Sequence, residues 1–232
     1  NEVTEVAHAS NIPVLVDAAA QIPPVENLKR FIREGADLVT FSGGKSIQGP
    51  QGSGILCGRK DLVASAALQN LDQDIFFDQW QPPPGLFDKS LLRGLPQHGI
   101  GRTCKVGKEQ VVGLLIALRL FTGGSYEKQN IRNLKLLENL YRKLNPQFQS
   151  LAEIVMTPGS EEPVLHLRTG KKDPDSAFAL ILSLEQEEPS IHCDPSRTED
   201  GLVIINASCL KSEDTEFIAA RLNELLTDDP SI

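Results

Sequence analysis

The chain has 232 residues, of which 40% are hydrophobic, and a formal net charge of −8. That apolar content is ordinary for a folded protein and excludes wholesale disorder, while the acidic balance excludes a nucleic-acid surface that depends on an overall basic field. No apolar run approaches the ~20 residues needed to cross a bilayer, and no charged-then-apolar leader opens the chain, so the expectation is a soluble, cytoplasmic protein that works on small molecules.

Residues 1–10 carry Val3, Val6 and Ala7 at helical spacing and read as the tail of a helix. Pro13-Val14-Leu15-Val16 is a short apolar strand, and it ends in Asp17-Ala18-Ala19-Ala20. Pro23-Pro24 start a helix with Leu28, Phe31 and Ile32 on one face, which Gly35 closes. The run Asp37-Leu38-Val39-Thr40-Phe41 is a second strand, so strand, helix and strand make a βαβ unit with two parallel neighbours. That strand ends in Ser42-Gly43-Gly44-Lys45. Next comes Gly49-Pro50-Gln51-Gly52-Ser53-Gly54, too glycine-rich for a helix, leading into Ile55-Leu56-Cys57-Gly58. A loop followed directly by a strand predicts a hairpin-like return, not a second crossover.

Residues 60–70 have helical character through Leu62, Val63, Ala66 and Ala67. Residues 71–96 are irregular around Trp80, Pro82-Pro83-Pro84 and Gly85, a length of loop that is usually functional or disordered. Residues 105–121 are the clearest helix, with Val111, Leu114, Leu115, Leu118 and Phe121 in one stripe that Gly123-Gly124 ends. A second long helix over 126–144 turns Leu134, Leu137, Tyr141 and Leu144 inward and stops at Asn145-Pro146. The remainder reads as a smaller α+β unit. It has strands at 164–167, 190–193 and 203–206, a helix at 176–186, and a final helix capped by Ser212 that buries Ile218, Leu222 and Leu225. The four cysteines are far apart, with no Cys-x-x-Cys pair and no histidine at metal-ligand spacing, so they read as reduced, mostly buried thiols and no metal site is expected.

The chemistry sits where the two parallel strands end. Open α/β sheets bind ligands at the carboxyl ends of their strands, and here that rim receives Asp17 and Lys45. A desolvated lysine loses its proton readily and condenses with an aldehyde, and pyridoxal 5'-phosphate (PLP) is the aldehyde cofactor most often held this way. An acidic partner keeps the pyridine nitrogen protonated, so the ring can take electrons from a bond broken at Cα. Ser42 and the glycines around it offer hydroxyl and backbone N–H donors for a phosphate. A nucleotide P-loop fits poorly, because it needs glycine where Val39 stands and a helix where Gly49-Pro50 lies. The spacing of Gly49, Gly52 and Gly54 also fails the dinucleotide fingerprint.

Asp17-Ala18-Ala19-Ala20-Gln21, Ser42-Gly43-Gly44-Lys45 and Gly49-Pro50-Gln51-Gly52-Ser53-Gly54 resemble the aspartate-aminotransferase fold (fold type I) of PLP enzymes. More narrowly they resemble the selenocysteine-synthase-like branch, which includes L-seryl-tRNA(Sec) selenium transferase and D-glucosaminate-6-phosphate ammonia-lyase. Gly99-Ile100-Gly101-Arg102 with Lys105-Val106-Gly107-Lys108-Glu109 is similar to a stretch of the same branch.

The resemblance implies an α/β fold in which residues 1–122 are part of a PLP-binding large domain with a mostly parallel sheet. A connecting long helix (123–150) and a small α+β domain (151–232) follow. It implies Lys45 as the Schiff-base lysine and the base at Cα, Asp17 as the pyridinium partner and Ser42 as a phosphate contact. Ala19 is then expected to pack on the ring face, Gln21 to reach the ring hydroxyl, and Arg102 to hold an anionic group of the substrate.

The implied activity is that of a lyase on an amino acid or amino-sugar acid. Lys45 removes the Cα proton, a β-substituent is eliminated, and a 2-keto acid and ammonia result. A selenium-transferase-like reaction is the alternative, disfavoured because transfer-RNA recognition calls for a basic surface. Family members carry a long stretch before the aspartate strand that this chain lacks. The chain is therefore expected to be the C-terminal portion of such an enzyme, to bind PLP weakly by itself, and to need an N-terminal partner or a homodimer, where such folds build their sites. A non-catalytic subunit pairing through an exposed sheet edge is the third reading.

Overall fold

The computed structural model describes residues 2–71, 74–169 and 173–228. Asn1 of the expected first helix and residues 72 and 73 of the irregular stretch therefore lie outside the described residues. The chain divides into two compact units, Asn1–Gly123 and Gly124–Ile232. The second of these includes the long helix that the sequence sets apart as a connector.

The first unit opens with α1 (Glu2–Ala9), β1 (Leu15–Asp17), α2 (Asn27–Arg33), β2 (Leu38–Ser42), β3 (Gly54–Gly58) and α3 (Lys60–Gln69). β2 is central: β1 pairs with it in parallel and β3 antiparallel, so the sheet is mixed. The crossover helix and the returning strand are thus as the residues predicted. Along β2 the alternation is strict. Val39 and Phe41 are buried, while Leu38, Thr40 and Ser42 on the opposite face are half-exposed. By register that second face also carries Leu15, Asp17 and Leu56, and Leu15 is 60% exposed. The sheet buries one face and leaves the other open.

A polar knot holds the amino end of this sheet. Asp37, almost fully buried at the start of β2, accepts hydrogen bonds from the Val14 amide (2.8 Å), His8 Nε2 (2.8 Å) and Arg59 Nη1 (3.0 Å). One carboxylate so ties α1 and β1 to the exit of β3. The Val14 amide, then His8 and Arg59, hold its pKa well below the usual carboxylate range. Because the folded pKa is depressed, the stability it contributes is fully present above the unfolded pKa of about 4. It is lost as pH falls below that value. Acid unfolding followed by circular dichroism should therefore be less steep below pH ~4 in Asp37→Asn, which is also less stable at neutral pH.

The stretch after α3 contains only short turns of 3-10 helix, at Phe77–Gln79, Lys89–Leu91 and Arg102–Cys104. Then comes α4 (Lys108–Thr122). Of its predicted stripe, Leu114 and Phe121 are buried but Val111 and Leu115 are exposed, because the helix packs through Gly113, Leu114, Ala117 and Phe121. The small residues admit the close approach of residues 43–50.

The second unit contains α5 (Ser125–Lys143), α6 (Pro146–Gln149), β4 (Ala152–Thr157), β5 (Glu162–Arg168), α7 (Pro174–Glu185), β6 (Leu202–Asn206) and α8 (Asp214–Asp228). Its strands form an antiparallel sheet in the order β4-β5-β6. Leu137 and Leu140 of α5, Leu180 and Leu184 of α7, and Leu222 of α8 pack on Leu165, Leu167, Val203 and Ile205 in one core. Two expectations fail. β4 is an unexpected strand, although Ile154-Val155-Met156 before the turn at Pro158-Gly159 is its signature. Residues 190–193 are not a strand: Ser190 Oγ and the Ile191 amide bond back to the end of α7, and only Asp194 makes a bridge, to Ile204. Pro195 stops the pairing there, since it has no N–H to donate.

The cysteines are less buried than expected. Cys104 and Cys209 are exposed, on loops, and Cys57 and Cys193 are half-exposed. Burial, with Glu185 and Asp194 nearby, pushes the Cys193 thiol up to about 12. Thiolate is the reactive form, so at pH 8 alkylation of Cys193 should be far slower in the folded chain than in the same chain unfolded in urea. Peptide mapping of timed iodoacetamide labelling checks this.

Candidate functional site

Asp17 is the last residue of β1 and lies opposite Thr40 of β2. Ser42 is two residues beyond Thr40, so strand alternation puts Asp17 and Ser42 on the same, open face at the carboxyl rim. Lys45 follows three residues later. Asp17 Oδ1 accepts from the Ala19 amide (3.0 Å) and from Thr40 Oγ1 (3.4 Å), which fixes the carboxylate and leaves Oδ2 for another donor. The backbone leaves the rim through Ala18, whose amide donates to Thr40 O at 2.9 Å and whose side chain is fully buried. Ala19 is half-buried beside it, and Gln21 is exposed with its carbonyl taken by Asn27 Nδ2.

The loop that carries Lys45 closes on itself. The Gly43 amide donates to Ser53 O (2.9 Å), the Gln48 amide to Lys45 O (2.7 Å) and the Gly49 amide to Gly43 O (2.8 Å). Gln51 Nε2 donates to Gly44 O at 3.0 Å, and Ser53 Oγ to Pro50 O at 2.6 Å. A Cβ on Gly43 would meet Ser53 O and Leu114 Cδ1 at 2.9 Å, and one on Gly44 would meet Gln51 Cα at 2.7 Å. These glycines are therefore needed for close packing, and the Gly43 amide, expected as a phosphate donor beside Ser42, is used inside the loop, as is that of Gly49.

The structure also places Lys45 and Arg102. Lys45 is exposed and not desolvated, since no element of the described chain covers the rim, and its ammonium makes no hydrogen bond or ion pair among the described residues. Arg102 is positioned by α3 and not by the rim strands: the Gly101 amide donates to Gln69 O (2.8 Å) and the Arg102 amide to Gly99 O (3.0 Å). The sequence reading missed Thr40 and Gln51. Thr40 could have been found from the period of two that ends in Ser42, and Gln51 from its place in the glycine-rich motif.

The donor set suits one end of a pyridine aldehyde better than the other. A fixed carboxylate with an open oxygen and a free amine share a rim, as ring nitrogen and aldehyde require. For a phosphate, Ser42 offers a hydroxyl, but the Gly43, Gln48 and Gly49 amides are committed inside the loop.

The Aminotransferase class-V family model matches residues 1–74. The chain is 28% identical over 232 residues to 5'-C-glycyluridine monooxygenase-decarboxylase from a Streptomyces species, covering 98% of this chain and 50% of that protein. It is 32% identical to D-glucosaminate-6-phosphate ammonia lyase of Salmonella typhimurium over 124 residues, 53% of this chain and 25% of that one. A solved structure of D-glucosaminate-6-phosphate ammonia-lyase shares the fold, with a TM-score of 0.64 at 23% identity over 97% of this chain and 52% of that chain. The chain thus spans half of the first relative and a quarter of the second. Sequence relatives and shared fold point the same way: the chain is similar in sequence to D-glucosaminate-6-phosphate ammonia lyase over about half its length, and it has the fold of a solved ammonia-lyase of that name.

Proposed function

We propose that this chain contributes the lysine-bearing rim of a PLP-dependent lyase that acts at the Cα of an amino acid or amino-sugar acid. The likeness to PLP-dependent relatives supports use of that cofactor. When bound, it supplies an electron sink for the pair left at Cα when a bond there breaks. The observation that carries the reading is the parallel register that pairs Asp17 with Thr40 and sets Ser42 on the same face, with Lys45 three residues on.

In this reading Lys45 anchors the cofactor through its amine and then moves a proton to and from Cα. Asp17, held by Ala19 and Thr40, presents Oδ2 to the ring nitrogen and keeps a positive charge there. Ser42 donates its hydroxyl to the phosphate. Ala19 covers part of the ring, Gln21 meets the ring hydroxyl, and Arg102 pairs with an anionic group of the substrate. Loss of the Cα proton to Lys45 and departure of a β-substituent with its bonding electrons leave an enamine, which takes up water to give a 2-keto acid and ammonia. A homodimer, or a separate segment that supplies further phosphate donors, completes the site and covers Lys45.

A second reading has support from the Streptomyces relative, which matches nearly the whole chain and is named as a decarboxylase. In it the bond broken at Cα is the one to a carboxylate. Products separate the two: ammonia and a 2-keto acid support the lyase, and carbon dioxide supports decarboxylation.

The assignment of the rim is tested by incubating the chain with PLP, reducing with borohydride and mapping the labelled peptides. A phosphopyridoxyl group on Lys45 is the expected result. Label spread over surface lysines would overturn it. With Lys45 exposed and the Gly43 amide beside Ser42 committed to Ser53 O, saturation should require PLP in excess, and a tight stoichiometric complex of this chain alone would contradict the weak-binding part of the reading.

A further inference from the structure

Outside the rim, an open cavity of about 550 Å³ lies in the first unit between α3 and residues 86–92. That volume is within the range of small-molecule sites. Its body is apolar, with Ala64 and Leu68 on one wall and Leu86, Phe87 and Leu92 on the other. Three charged residues, Lys60, Asp61 and Asp88, stand together at its lining.

The far wall is preformed. Phe87 packs on the buried Trp80 with ring centroids 5.5 Å apart. Lys89 Nζ donates to the carbonyls of Asp78 (3.0 Å) and Trp80 (2.9 Å) and sits 5.0 Å from the Phe77 ring centroid. The segment is therefore tied down on the side away from the cavity, and opening the cavity to a ligand requires no rearrangement of it.

The polar groups are unequal in what they have left to offer. Asp61 is taken by Arg59 through Nε (3.2 Å) and Nη2 (2.7 Å), and Asp88 by the amide (3.0 Å) and hydroxyl (2.6 Å) of Ser90. Lys60 makes no hydrogen bond or ion pair among the described residues, although Asp88 lies within its field. Two carboxylates with their donors in place and one ammonium without an acceptor favour an acceptor on the incoming molecule. We propose that this cavity binds a small amphipathic carboxylate, its apolar body between α3 and residues 86–92 and its carboxylate on Lys60. The site is independent of the PLP reading and stands or falls separately from it.

The chain has a single tryptophan, Trp80, in contact with the cavity wall, so it reports on occupancy. The probe is octanoate, with octanol and octylamine as head-group controls. Binding is measured by ligand-observed saturation-transfer NMR and by Trp80 emission. Saturable octanoate binding with a Kd on the order of 1 mM is expected for a ligand of that size. Lys60→Gln should weaken it about fivefold, the value of one partly exposed ion pair, and octanol should bind more weakly than octanoate by a similar factor. Ala64→Phe, which fills the cavity, should abolish binding of all three. The proposal is overturned if octanoate shows no saturable binding, if octanol or octylamine binds as tightly as octanoate, or if a folded Ala64→Phe still binds. Should Ala64→Phe fail to fold, Lys60→Gln and the head-group comparison decide alone.

Discussion

Lys45→Ala should lose all specific phosphopyridoxyl labelling, leaving only the background that other surface lysines give after PLP and borohydride. The exposed ammonium of Lys45 has no structural partner among the described residues, so its removal costs the fold little, within about 0.5 kcal/mol. The variant thus separates chemistry from stability: unchanged circular dichroism and thermal midpoint, with no label at position 45 and no cofactor-dependent absorbance. Lys45→Arg should fail equally. A guanidinium keeps the charge but does not lose its proton to become a nucleophile. Should Lys45→Ala retain the specific absorbance of the wild-type chain, the amine that anchors the cofactor is elsewhere and the proposed rim is wrong.

Gly43→Ala should destabilise the first unit and displace the same amine. The added methyl group would lie 2.9 Å from both Ser53 O and Leu114 Cδ1, and closer still to Ser53 Oγ. None of these moves freely. Ser53 O accepts the Gly43 amide, Ser53 Oγ is bonded to Pro50 O, and Leu114 lies on the buried face of α4. Overpacking of this kind costs about 2–3 kcal/mol, because the loop and helix must separate. For a chain of this length the thermal midpoint should fall by roughly 5–10 °C. Gly52 is the internal control, since nothing lies within 4 Å of its added Cβ and Gly52→Ala should change stability by less than about 0.5 kcal/mol. In Gly43→Ala, labelling of Lys45 should fall along with stability. Equal losses in the two glycine variants would mean that the close packing of the loop on α4 does not hold the lysine in place.

The two variants bear on different parts of the same problem. Lysine chemistry could be read from four consecutive residues, whereas the means of holding that lysine could not. Gly43, beside Ser42, looked like a phosphate donor because glycine-rich loops so often are, and Gly49 stands in the next glycine-rich run. In the fold their amides face Ser53 and Gly43 instead, and their missing side chains make room for Leu114 and Ala117 of a helix more than sixty residues away.

Asp37 shows the same limit. As the first residue of an apolar run it reads as a strand boundary, yet it bonds to His8, Val14 and Arg59, none of them near it in the chain. Likewise the apolar stripe of α4 predicted the helix but not the face it buries, since periodicity records that a face is apolar and not what covers it.

What the sequence determined by itself was local in range: the period of two along Val39–Phe41, the helical spacing of α4, α5 and α8, the return of β3, and the types of residue at the ends of β1 and β2. Each depends on contacts within one turn, one strand or one loop. Only the tertiary structure decided that Asp17 and Ser42 share an open sheet face, that the Gly43 and Gly49 amides are committed, that Lys45 is exposed, and that α3 and residues 86–92 border an open cavity with Lys60 at its lining. Those outcomes depend on strand register and on packing between residues distant in the chain, where a shift of one position exchanges the two faces of a strand and local pattern has no information to choose.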